Sequence, residues 1–247
     1  MVMSEKIAEV QDIKPINVVT WKDKLEEYKK RPLSLFLMIA VTLSAGITVA
    51  VLGALLIYIL ANGIMNLTPE LFAWKYTTEN VSMLPAIINT VLMTALSLLI
   101  AVPIGICSAI YLVEYSKRGN KLVNVVRITT ETLSGIPSIV YGLFGYLMFV
   151  IAFGWGLSFF GGALTLSIMV LPTIMRTTEE ALLSVPDSYR EGSFGLGAGR
   201  LRTIFKVVLP SAVPGILSGV ILAIGRIVGE TAALIFTSGT TAEVPKS

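Results

Sequence analysis

Apolar residues in this chain gather into runs far longer than the face of a soluble helix requires. Five stand out: Leu33–Ala61, Leu84–Val113, Thr132–Phe153, Leu157–Met175 and Ser211–Phe236. About 20 mainly apolar residues carry a helix across the hydrocarbon core of a bilayer, so each run is expected to span a membrane. The first exceeds that length and is expected to tilt or to reach into the interface. Pro103-Ile104-Gly105 and Gly135-Ile136-Pro137 weaken the helices that contain them. Such points serve equally as bends in a rocking bundle or as static kinks.

The polar segments between the runs set an orientation. Short loops rich in Lys and Arg stay in the cytoplasm. Lys22, Lys24, Lys29, Lys30 and Arg31 precede the first run; Lys117, Arg118, Lys121 and Arg127 follow the second; Arg190, Arg200, Arg202 and Lys206 follow the fourth. The alternate loops are poor in base, with Lys75 beside Glu70 and Glu79 and no charge at Gly154–Gly156. This alternation predicts a cytoplasmic N-terminus and an external C-terminal stretch, Ser238–Ser247, beyond which a sixth span is expected. Residues 1–32 form a polar tail; the apolar run after it is too long for a cleavable signal core. Trp21, Leu25 and Tyr28 fall on one helical face of that tail, which fits an interfacial helix or a solvated segment equally well. Residues 33–247 read as one membrane domain with a cytoplasmic loop at about 184–210.

Composition agrees with this reading. Hydrophobic residues make up 54% and charged residues 14%, and the mean hydropathy is +0.80, whereas a soluble domain carries about a quarter charged residues. The fold class is therefore an all-α polytopic membrane protein. A net charge of +3 without a basic patch excludes nucleic-acid binding as the function. Histidine is absent and Cys107 is the lone cysteine, which excludes a disulfide framework and a soft-metal cluster. Cys107 is expected to be a buried packing residue. No nucleophile–base–metal set suggests a membrane hydrolase.

Two places carry chemistry. Arg226 and Glu230 sit four residues apart in the last run, where they would share a helix face and pair. An ionised side chain at mid-membrane costs about 2.5–3.5 kcal/mol on insertion scales and is usually functional. A guanidinium fork suits an oxyanion, and a neighbouring carboxylate would moderate its hold, since passage requires weak binding. A helix–helix pair without substrate contact is the competing reading. Arg176, at the inner end of the fourth run, is a second station for an anion or an ordinary cytoplasmic charge. Glu179 and Glu180 read as solvated loop charges, and Glu114 and Glu131 as flanking residues without a role.

The other place is the loop Ser184–Pro210. Ser188 and Glu191 have capping-box spacing, which predicts a short helix starting at the serine. Gly195, Gly197 and Gly199 would end it and allow close backbone approach, and Leu209-Pro210 would restart a helix towards the membrane. These glycines follow no strand and lack nucleotide-loop spacing. A crosswise helix of this kind is a handle for an outside partner, although an ordinary linker has similar composition.

Glu191, Gly197 and Val207-Val208-Leu209-Pro210 resemble the EAA loop of ABC importer permeases, with Gly192 and Ser193 in place of the two alanines and Val207 in place of isoleucine. Leu133–Gly145, Leu171–Leu182 and Ile224–Leu234 resemble the phosphate-specific (Pst) importer permeases, and Gly229–Gly239 looks more like the PstA than the PstC type. The resemblance implies a type I permease bundle of six spans in a bacterial inner membrane. It implies docking of Ser188, Tyr189, Glu191, Gly195, Gly197, Leu209 and Pro210 onto a PstB-like ATPase. It also implies a PstC-like second permease and an extracytoplasmic PstS-like phosphate-binding protein. No Gly-x-x-x-x-Gly-Lys-Ser/Thr sequence is present, so ATP and magnesium would be used by the partner and this chain would hold no cofactor and be no enzyme. A phosphonate or other oxyanion importer, a secondary anion transporter and a purely structural membrane subunit remain open at this point.

Overall fold

The computed structural model describes residues 31–116 and 119–240, the side chain of Leu122 excepted. The tail with Trp21, Leu25 and Tyr28, the basic pair Lys117 and Arg118, and the last seven residues lie outside the described residues. The chain divides into two compact units, one ending at Thr68 and one beginning at Pro69.

Among the described residues the first unit contains one long helix, α1 (Pro32–Met65), of 34 residues with proline in its first turn, where the missing N–H is harmless. At 1.5 Å per residue it is about 50 Å long, well beyond the thickness of a hydrocarbon core. Its few polar side chains turn back on their own helix: Thr42 and Thr48 donate to Met38 and Ser44 carbonyls at 2.8 Å.

The second unit is a bundle. α2 (Leu84–Ile110) continues through a π-helical turn, Tyr111–Tyr115. α3 (Lys121–Ser134) is followed by α4 (Ser138–Gly145), which runs on through π turns to Ala152. α5 (Phe159–Leu183) crosses the middle. α6 (Asp187–Gly195) is the short helix of the polar loop. α7 (Arg200–Thr203) passes through the π turn Ile204–Val208 into α8 (Leu209–Val228), and α9 (Ala232–Thr237) ends the described bundle.

Among the described residues, four helical stretches are long and apolar enough to cross a membrane: Pro32–Met65, Leu84–Tyr115, Phe159–Leu183 and Arg200–Val228. A fifth crossing is available only if the pair Val123–Ser134 and Ser138–Ala152, bent by 103°, counts as one span. The third expected span, Thr132–Phe153, is thus corrected: Gly135-Ile136-Pro137 breaks the chain and the apolar helix starts at Ser138. Proline pushes the residue before it out of the helical region, which makes the break sharp. The fifth expected span, Ser211–Phe236, is corrected at both ends, since the helix begins at Arg200 and stops at Val228.

α5 is the axis of the core. Leu166, Met169, Val170 and Ile174 are essentially inaccessible and meet Ala101 of α2 and Ala223 and Ile227 of α8. Nearer the polar loop, Leu182 and Val185 pack with Ala109, Ile204, Val208 and Ala212. Small residues bring the backbones together, as expected where lipid supplies no hydrophobic drive between helices. A side chain at Gly142 would meet the Ala233 backbone at 2.8 Å, so α4 and α9 cross in near contact. Two serines fasten α2 to α5: Ser97 donates to the Ala163 carbonyl (3.0 Å) and Ser167 to the Ser97 carbonyl (3.1 Å). Cys107 is corrected from buried to exposed. It sits on the exposed side of α2 with Leu99 and Ile104.

Candidate coupling helix and intramembrane arginine

Two polar constellations interrupt the apolar bundle, one on the loop helix α6 and one where α8 breaks. α6 begins after Pro186, which is its N-cap residue, and has no side-chain cap. Ser188 is therefore inside the helix and does not cap it, and the capping box expected with Glu191 is not formed. Proline fixes the entry and Asp187 supplies the first-turn negative charge that the helix dipole favours. The other end follows the sequence closely. Gly195 closes the helix and Gly197 takes φ +81°, a left-handed conformation that favours glycine. Gly197 N–H donates to the Phe194 carbonyl (2.9 Å) and Ala198 N–H to the Ser193 carbonyl (3.1 Å), the paired bonds of a Schellman stop. The Ser193 and Thr203 hydroxyls meet at 2.8 Å and tie α6 to α7. Gly199 is the N-cap of α7, while Leu209 and Pro210 open α8 directly after a π turn.

Tyr189, Phe194 and Leu196 are exposed on this segment, Leu196 at 90%, and Ser188 and Glu191 are exposed with them. Three large apolar side chains on a polar loop form a surface suited to a partner.

Arg190, between them, faces inward. Its Nε and Nη2 donate to Glu114 Oε1 at 3.0 and 2.7 Å, Nη2 also to the Leu182 carbonyl (3.0 Å), and Nη1 to the Val185 carbonyl (2.8 Å) and Asp187 Oδ1 (3.3 Å). The Glu114 and Arg190 side chains are only 9% and 15% exposed. Glu114, assigned no role from sequence, is thus the buried partner of the loop helix. Its placement in the π turn Tyr111–Tyr115 left no mark in the hydrophobic periodicity.

The second constellation departs from the expected ion pair. α8 ends at Val228 and Gly229 is its C-cap, with Gly229 N–H on the Gly225 carbonyl. Glu230 lies beyond the helix, so the four-residue spacing no longer places it over Arg226. Its Oε1 instead accepts the Ala233 N–H at 3.0 Å, satisfying one of the free donors at the start of α9. Arg226 is half-buried in the last turn of α8 and its Nη1 donates to Thr173 Oγ1 of α5 at 3.4 Å. Among the described residues no carboxylate lies within ion-pair distance of it.

Arg176 is three residues beyond Thr173 on α5 and therefore a neighbour on the helix surface. Its Nε donates to Glu180 at 3.1 Å and its Nη1 lies 3.6 Å from Glu131. Glu179 and Glu180 are corrected from loop charges to residues of α5, and Glu179 pairs with Arg127. The fold thus brings Arg226 and Arg176 to adjacent turns of α5, the first free of acid and the second held between two carboxylates.

The described residues form an all-helical bundle with a broken helix, an arginine in the last turn of a candidate span and an exposed loop helix, an arrangement that fits a permease subunit. The chain belongs to the binding-protein-dependent transport system inner membrane component family, whose match covers residues 101–243, and it is a multi-pass inner-membrane protein. Within the family it is similar to ABC permeases of the PstA type. It is 40% identical over 206 residues to the probable ABC transporter permease protein YqgI of Bacillus subtilis (strain 168), covering 81% of this chain and 68% of that one. It is 40% identical over 154 residues to the phosphate transport system permease protein PstA 1 of Mycobacterium tuberculosis (strain ATCC 25618 / H37Rv), covering 62% and 49%. With the phosphate transport system permease protein PstA of Pasteurella multocida (strain Pm70) the identity is 40% over 190 residues, covering 74% and 66%. The chain therefore spans about half to two thirds of the length of these relatives. A chain of the MetNI methionine ABC transporter, in an inward-facing conformation, shares the fold with TM-score 0.50 and 22% identity, over 60% of this chain and 68% of that one.

Proposed function

We propose that this chain forms half of the translocation path of an ATP-driven phosphate importer, with Arg226 as the intramembrane contact for the anion. Arg226 carries the proposal: a guanidinium in an apolar helix whose one hydrogen-bond partner among the described residues is a hydroxyl at 3.4 Å keeps donors for a ligand. A planar fork can offer two N–H groups to two phosphate oxygens at once. Low affinity follows from the surroundings, which supply one fixed charge and no cage. Arg176, one turn along α5, is a second and weaker station because Glu180 and Glu131 already share its charge. Relatives named as phosphate transport permeases support the choice of substrate.

The partners follow from the same reading. A PstB-like ATPase, using ATP and magnesium, docks on the exposed face of α6 at Tyr189, Phe194 and Leu196; a PstC-like permease completes the pore; a PstS-like protein delivers phosphate from outside. The N-terminus is cytoplasmic. The Lys- and Arg-rich segments before α1, after α2 and after α5 support that orientation. ATP binding and hydrolysis favour two global states in turn, through differential contacts with each.

The test is transport by the protein assembled with these partners in proteoliposomes. ATP-dependent phosphate uptake that excess sulfate does not suppress is the expected result. Uptake competed equally by sulfate, or none without a different oxyanion, would overturn the substrate.

A further inference from the structure

We propose that Arg190 is a positioning residue that couples the loop helix to the membrane helices, acting through Glu114. This rests on the ATP-driven reading above and adds to it a route from motor to pore. One side chain joins three elements. Arg190 belongs to α6, whose exposed face receives the partner; its guanidinium holds Glu114 at the inner end of α2; and it holds the Leu182 and Val185 carbonyls where α5 ends.

The geometry fits transmission of movement better than simple attachment. Ser184-Val185-Pro186 alone joins α5 to α6 by chain, and three residues could pivot. The four hydrogen bonds of Arg190 to Glu114 and to the Leu182 and Val185 carbonyls remove that freedom, since they use the donors of a rigid planar group and ion-paired bonds of this kind are the stronger ones. The Leu182 carbonyl belongs to the last turn of α5 and the Val185 carbonyl lies two residues beyond the helix, at the end where the helix dipole favours a cation. Glu114 is brought to the guanidinium by a π turn, a feature that often marks functional sites. A displacement of α6 is thereby passed to α5, which carries Thr173 and Arg176 beside Arg226.

The pair also borders a polar cavity of about 850 Å3 that takes in Lys121, Arg127 and Arg200. Water can reach a lone Arg190 from there, so a chain lacking the carboxylate is expected to fold.

The experiment uses the assembled importer and records ATP hydrolysis and phosphate uptake together in wild type, Arg190→Gln, Glu114→Gln and Asp187→Asn. Asp187 is the exposed member of the cluster, with its side chain 77% exposed, and serves as the control. Arg190→Gln and Glu114→Gln are expected to assemble and hydrolyse ATP within about twofold of wild type while phosphate moved per ATP falls tenfold or more. Asp187→Asn is expected to stay within twofold on both. Unchanged phosphate per ATP in Arg190→Gln or Glu114→Gln would overturn the inference, and so would loss of ATPase binding in both, which would make the pair a docking requirement only. Hydrogen exchange of residues 187–196 separates this from the substrate reading. Faster exchange in Glu114→Gln supports the latch even if wild type moves another anion, and unchanged exchange refutes it.

Discussion

Replacing Glu230 by Gln and by Ala distinguishes a helix-capping carboxylate from a charge partner of Arg226. In the structure Glu230 Oε1 accepts the Ala233 N–H at 3.0 Å. A glutamine carbonyl can accept the same bond, whereas alanine leaves a donor at the start of α9 without it. A buried polar group that loses its partner costs about 1–3 kcal/mol, and each 1.36 kcal/mol is tenfold in an equilibrium. Opening of α9 should therefore become roughly 5- to 150-fold more favourable in Glu230→Ala and change little in Glu230→Gln. Hydrogen exchange of the amides from 233 to 238, read on the protein in nanodiscs, measures this directly. Phosphate uptake should follow the same order, with Glu230→Gln close to wild type. Equal damage from Gln and Ala, together with rescue of Glu230→Gln by Arg226→Gln, would refute the capping account and restore the ion pair.

Other changes probe other parts of the structure. Gly197→Ala puts a side chain at φ +81° and should cost about 1–2 kcal/mol of loop order, read as roughly fivefold or greater weakening of ATPase binding to the permease. Gly142→Leu meets the Ala233 backbone and should lower the unfolding temperature in detergent by several degrees, overpacking costing about 1–3 kcal/mol. Arg176→Gln should lower uptake less than loss of Arg226 does, because Glu180 and Glu131 already engage its charge; equal losses would make the two stations equivalent.

The membrane class, the apolar helices and the stop of the loop helix were legible because each rests on local chemistry. Run length reports a span and a glycine after a short polar helix reports its stop. The break after α8 was not. Gly229 stands inside a run long enough for one span, and periodicity cannot tell a continuous helix from one that ends and restarts within three residues. Arg226 and Glu230 thus look paired in sequence and separate in space. The Arg190–Glu114 bond was also invisible, since its members are 76 positions apart and the glutamate reads as one more flanking charge. Cys107 shows a further limit: apolar residues facing lipid and apolar residues facing protein follow the same composition. Which face of α2 turns inward is decided by Ser97, Ala101 and Gly105 packing on α5, so the cysteine faces out.

The central claim, that phosphate passes Arg226, is tested most directly by ATP-driven phosphate uptake of the assembled Arg226→Gln importer in proteoliposomes. The account predicts a complex that still binds its ATPase and moves little phosphate. Normal uptake by that complex would contradict it and leave Arg226 a structural partner of Thr173.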